Sequence, residues 1–152
     1  MTQSHSLNHI NRLELEGGGF VIRLRDLTKP RYKTLAPRKF IGLRSEMDEV
    51  IRLFDSSNGD LNVIVNKLDL GDTYLEPGDK LFYVKFDYNR GFRFDLPNGN
   101  EDGAYPGLWR PGGYTKSGTY EGVIKNSSDF VHNNSLDKFI EIFGTENVRP
   151  LN

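Results

Sequence analysis

The sequence predicts an α+β fold, a mostly antiparallel β-sheet with two short amphipathic helices packed against it. Three observations lead there. Apolar residues alternate with a period of two around Phe20-Ile22-Leu24 and again along Phe82-Val84-Phe86-Tyr88. They recur at helical spacing in two segments, 46–54 and 136–143. No strand–helix alternation points to a doubly wound fold, and no fixed-period repeat points to a solenoid.

With 152 residues the chain has the size of one domain, taken as 1–152. Ten Phe, seven Tyr and one Trp argue against disorder, because disordered chains are poor in aromatic residues. Residues 1–11 are polar without a strong period and are expected to form a flexible N-terminal segment. Gly17, Gly18 and Gly19 then break the chain before a strand in which Phe20, Ile22 and Leu24 share one side, with Arg23 and Arg25 on the other. A basic loop follows, from Lys29 through Lys33 to Pro37-Arg38-Lys39, and Phe40-Ile41 reads as a short strand.

In the first helix, 46–54, Met47, Val50, Ile51 and Phe54 form the apolar stripe. Ser45 stands at the N-cap with Asp48 three residues on, the spacing of a capping box. Ser56 to Asp60 ends the helix, Leu61 to Val65 reads as a strand, and residues 66–79 as a turn-rich connection. Phe82, Val84, Phe86 and Tyr88 face Phe92, Phe94 and Leu96 across Asn89-Arg90-Gly91, which predicts a hairpin over 81–96 closed by a G1 bulge. Residues 97–118 hold six Gly and three Pro, and a connection longer than about 15 residues in a small domain is usually functional or disordered. Thr119 to Lys125 is the last long strand. The second helix, 136–143, is capped by Ser135 and stopped by Gly144, with Leu136, Phe139, Ile140 and Phe143 as its stripe. Both stripes are expected on one face of the sheet. The tail from Val148 to Pro150 is too short to assign.

Charge is distributed in blocks. Residues 1–44 carry nine Lys or Arg against three Asp or Glu, 45–79 carry two against nine, and 80–152 balance at nine each. Such blocks either form opposed basic and acidic surfaces or neutralise each other in the folded domain. The net charge of −1 is unlike that of a nucleic-acid binder working by charge alone.

Several classes are excluded. No apolar run is long enough to span a bilayer and no signal-peptide core stands at the N-terminus, so no membrane partner and a cytoplasmic location are expected. Without Cys there are no disulfides, thiolate nucleophiles or thiolate metal sites. Dinucleotide, P-loop, zincin and hydrolase-elbow motifs are all missing. Asn98 to Asp102 has oxygen ligands without EF-hand spacing and reads as an acidic turn. His5 and His9 have no third ligand nearby, so neither a metal nor a cofactor is expected.

Two functional readings remain. The first is a macromolecular binding domain that engages another protein or a nucleic acid through the basic segment 23–44 or the aromatic, Gly/Pro-rich loop 103–120. Trp109, Tyr105, Tyr114 and Tyr120 are its aromatic contacts, with Arg23 and Arg25 as basic ones. The second is a small metal-independent enzyme acting on RNA or a nicotinamide nucleotide as ligand. There Glu121 and His132 would move protons, and Arg110 would stabilise charge on phosphorus or hold a diphosphate. Arg23 and Arg25 would join Glu121 if their strands were neighbours. Small toxin domains of both kinds share this size and lack of motifs, but no string here transfers a residue's role. The plainer alternative is that Trp109 and the tyrosines plug a sheet edge, Arg110 pairs with an acid, and His132 is a surface loop residue.

Overall fold

The computed structural model describes residues 12–28, 33–35, 39–87, 91, 93–95, 109–110, 114–115 and 121–152. The flexible segment expected at 1–11, most of the loop 97–118, and Tyr88, Phe92 and Leu96 of the expected hairpin lie outside that set. The fold is α+β. Its main sheet has six strands, all antiparallel to their neighbours.

After α1 (residues 12–16) the chain enters β1 (Gly18–Arg23), which lies between β2 (Lys39–Leu43) and β3 (Leu81–Phe86). Beyond β2 come β7 (Glu121–Ile124) and then β4 (Phe94–Asp95), while beyond β3 comes β8 (Val148–Pro150). The order is therefore β4-β7-β2-β1-β3-β8. A separate two-stranded ribbon pairs β5 (Trp109–Arg110) with β6 (Tyr114–Thr115). Of the three glycines expected to break the chain, Gly17 does so at φ 81°, but Gly18 and Gly19 enter the sheet: Gly18 pairs with Leu43 on one side and Phe86 on the other.

The hairpin expected over 81–96 does not form. β3 pairs with β1 and β8, whereas β4 pairs with β7, so 81–86 and 94–95 belong to different parts of the sheet. Gly91 does adopt the positive φ foreseen for it, at 88°. The turn it serves leads into β4 and is tied to the chain leaving β7: Asn126 donates its side-chain amide to Gly91 O and accepts from Arg93 N through Oδ1, each at 2.8 Å.

Both faces of the sheet are apolar, which corrects the one-sided packing expected. Phe20 and Ile22 of β1 join Phe82, Val84 and Phe86 of β3 on one face, with α5 (Leu136–Phe143), Leu27 and Leu13 over them. Val21, Leu81 and Tyr83 point to the other face, under α3 (Arg44–Ser56) and α4 (Leu61–Lys67). The two amphipathic helices thus lie on opposite faces. A central strand apolar on both sides is what burial on both sides requires. Phe20, Phe86, Phe139 and Phe143 form an aromatic cluster with centroid separations of 4.9–6.4 Å. Each fully buried Phe contributes about 1.5–3 kcal/mol.

Residues 61–67 form the helix α4, not the strand expected. Asp60 caps it, accepting from Asn62 N at 3.0 Å, and Leu61, Ile64, Val65 and Leu68 lie at helical spacing toward the α3 side. The β-branched run Val63-Ile64-Val65 imitates a strand, but packing overrides so weak a local preference. α5 runs as expected, with Ser135 Oγ accepting from Lys138 N and Gly144 leaving the helix at φ 93°. Ser45, by contrast, is not the cap of α3. Leu43 holds that position, and Ser45 donates both its amide (3.1 Å) and its hydroxyl (2.6 Å) to Glu16 Oε1 at the end of α1.

Candidate functional site

At the end of β1, Arg23 and α2 (Arg25–Thr28) bring two guanidinium groups onto one carbonyl. Arg23 Nη1 donates to Tyr74 O at 2.7 Å and Arg25 Nη2 to the same oxygen at 3.2 Å. Arg23 also forks onto Asp26, with Nε and Nη2 at 2.7 and 3.1 Å, and lies 4.4 Å from the Tyr74 ring centroid. Arg25 reaches Asp79 at 3.3 Å and Glu76 at 3.4 Å. Burial pushes the Tyr74 phenol well above its ordinary range, against the opposing charge of Arg23. The group fastens the 68–80 connection to the sheet, and it commits both arginines to the fold.

Other arginines behave alike. Arg12 pairs with Glu16, Arg44 with Asp87 and Asp48, Arg52 with Glu49, and Arg149 with Asp55. Arg25 and Arg44 belong to the basic block and take partners from the acidic one, so the blocks neutralise each other there. Arg93 stands apart: it is exposed, and no described residue forms an ion pair with it.

His132 is not a surface residue. It is 1% exposed. Its Nε2 lies 3.2 Å from Leu27 O, and its ring meets Phe139 edge-on at 5.6 Å. A carbonyl can only accept, so in this hydrogen bond Nε2 carries the proton and donates. Its backbone amide donates to Lys33 O at 2.8 Å, and Ser127 beside this stretch is buried as well.

The strand order separates Glu121 from Arg23. Glu121 pairs with Gly42, and Gly42 pairs with Gly19, so β2 stands between β7 and β1. Arg23 lies a further four residues along β1, which is roughly 13 Å along the strand and about 10 Å across two strand spacings. Sequence spacing could not reveal this, because it depends on which strand intervenes. The ribbon register sets Arg110 opposite Tyr114 and Trp109 opposite Thr115. Tyr105 and Tyr120 lie outside the described residues.

Two residues that the sequence did not single out meet at the far end of the sheet. Lys125 N donates to Arg93 O at 2.7 Å, one position beyond the register Phe94–Ile124. The same Ile124 pairs with Lys39 on its other side. The signal was hidden because Arg93 and Lys125 are distant in sequence and share only a register.

Among the described residues, no group of three or more His, Asp or Glu is placed to hold a metal ion, and no helix is long and apolar enough to cross a membrane. Comparison with known proteins finds no matching family model, curated protein or solved structure.

Proposed function

We propose that this chain is a binding domain whose recognition element is the ribbon β5–β6, with another protein as partner. The observation that carries this reading is the ribbon register: Trp109, Arg110 and Tyr114 stand within two paired dipeptides outside the six-stranded sheet. Trp, Arg and Tyr are the residue types that most often dominate binding energy at protein interfaces. A ribbon of two strands gains little stability by itself, so such side chains are better explained by contacts they make than by the ribbon's own pairing.

The enzymatic alternative has less support. Its acid–base candidate His132 is buried and engaged, Arg23 and Arg25 are committed to ion pairs, and β2 separates Glu121 from both. The basic segment is a weaker recognition element for a protein, since Arg23, Arg25 and Arg44 are already neutralised.

The test begins with capture on the immobilised full chain, identification of the captured protein, and reassembly of the pair from purified components. Affinity should change little between about 0.1 and about 0.5 M salt, where charge attraction is screened. Trp109→Ala should lower affinity by at least about tenfold, a hot-spot loss of more than 1 kcal/mol, with the thermal midpoint unchanged. A midpoint lower by about 10 °C, roughly 2 kcal/mol in a domain of this size, makes Trp109 a packing residue and overturns the reading. So does chelator-resistant turnover of RNA or a nicotinamide dinucleotide that is lost in Arg110→Ala and Glu121→Gln.

A further inference from the structure

We infer that the β8 edge of the main sheet is closed to strand addition, a device that keeps the protein from joining sheet to sheet with a second copy of itself. β8 is the last strand of the order, and no described residue pairs beyond it. Its neighbour β3 is apolar on both faces, so an open edge at this end would let an apolar sheet grow from chain to chain.

Register decides which amides face outward. In an antiparallel ladder, residues alternate between exchanging hydrogen bonds with one neighbour and directing N–H and C=O away from it. Leu24 N donates to Lys80 O at 2.8 Å, one step beyond the pair Arg23–Leu81, so Lys80, Phe82 and Val84 bond toward β1. Leu81 and Tyr83 therefore bond toward β8, in agreement with the 2.9 Å bond from Leu151 N to Leu81 O. Arg149, opposite Tyr83, is then the inward residue of β8. Val148 and Pro150, opposite Val84 and Phe82, direct their backbone groups outward.

Neither outward position offers a free donor. Pro150 has no N–H. The Val148 N–H donates to Thr145 O, within the tight turn Thr145–Asn147. That turn is itself fastened: Asn147 N donates to Gly144 O at 3.0 Å, and its side-chain amide to Phe143 O at 2.8 Å. The rim of β8 thus presents the carbonyl oxygens of Val148 and Pro150 and no amide. An added strand needs donors and acceptors in alternation, so its own acceptors would go unmet here. Past Pro150 the ladder stops, because Leu81 N donates to the Asn152 side chain at 2.9 Å and not to a backbone oxygen. The proline is tolerated because the N–H it lacks is the one that would point to solvent. Arg149 forks onto Asp55 at 2.6 and 3.1 Å, which ties the guarding strand to α3.

Sedimentation velocity on the full chain tests this from about 10 μM to about 1 mM, the range in which unpaired strand edges associate. The unaltered chain should keep one sedimentation coefficient throughout. Pro150→Val restores an outward N–H on a strand-favouring residue and should form a dimer whose population rises with concentration. Pro150→Asp restores the same N–H beside a charge, which blunts an edge, and should remain monomeric. Circular dichroism should be unchanged in both, since residue 150 is exposed and bonds nothing inward. Trp109→Ala added to Pro150→Val should leave the dimer intact, which separates this edge from the ribbon. Hydrogen exchange gives a second reading: the Val148 amide, though at the rim, should exchange more slowly than in an unfolded peptide. The inference is overturned by a Pro150→Val chain that stays monomeric over that range, by a Pro150→Asp chain that dimerises equally, by an unaltered dimer that Pro150→Asp dissolves, or by a Val148 amide that exchanges freely.

Discussion

Gly19 looks like a chain breaker in the sequence and is a packing residue in the fold. A Cβ built there would sit 2.7 Å from Tyr83 Cε1, 2.9 Å from its hydroxyl and 3.1 Å from Val84 O. The ring cannot simply swing aside, because Tyr83 is 4% exposed and its hydroxyl donates to Asp48 at 2.9 Å. Gly19→Ala should therefore cost about 1–3 kcal/mol, the range for overpacking a filled site. Urea unfolding monitored by circular dichroism checks this, and the double variant with Tyr83→Leu should recover part of the loss. Phe86 was legible as core from its alternation alone. At 1% exposure, touching Phe20 and Phe143, it should lose about 3–5 kcal/mol when changed to Ala. The contrast is physical: alternation reports a strand's own face, whereas a glycine's reason lies in a side chain 64 residues away.

Helices α3 and α5 could be read from their stripes, and the cap of α5 from Ser135. The cap of α3 could not, because the carboxylate at its first turn comes from α1. Burial alone would raise the Glu16 carboxyl, but hydrogen bonds from the Ser45 hydroxyl and amide, helped by Arg12, hold it below its ordinary value. A carboxyl lowered by folding adds stability above its unfolded pKa, and that stability is lost as pH falls through the folded value. Glu16→Gln should thus destabilise by about 0.5–1 kcal/mol near neutral pH, a capping loss discounted for exposure. The difference from the unaltered chain should shrink toward zero as pH drops to about 3, measured by thermal unfolding across pH. A pH-independent difference would mean that shape, and not charge, joins the two helices. The misreading of α4 has another origin. Its β-branched centre favours a strand locally, and only Asp60 and the apolar spacing through Leu68 reveal the helix.

At the scale of the molecule, the fold class was legible and the topology was not, since register between distant strands leaves no periodic trace. The C-terminal tail shows this most clearly. From Val148 to Asn152 it is too short for any pattern, yet it closes the sheet and both cores. Val148 is buried in the cluster under α5, and Leu151 in the cluster under α3 and α4. β8 pairs with β3 from Phe82–Pro150 to Val84–Val148, and beyond it Leu151 N donates to Leu81 O at 2.9 Å. Asn152 then accepts from Leu81 N and donates to Asp79 O, at 2.9 and 2.7 Å. Deleting residues 148–152 removes two buried aliphatic side chains, at about 1.5–3 kcal/mol each, and several hydrogen bonds at about 1 kcal/mol each. The combined loss, on the order of 5 kcal/mol, is comparable with the whole stability of a typical domain. It also bares β3, an apolar central strand, as an edge open to pairing with other chains. The truncated chain should therefore unfold or aggregate at ambient temperature, read by size exclusion and circular dichroism. Val148→Ala alone should remain folded with a midpoint lowered by several degrees, about 1–2 kcal/mol for a partial loss of one side chain. A truncated chain that stays monomeric with an unchanged midpoint would show that β8 is an ornament of the sheet and not its closing strand.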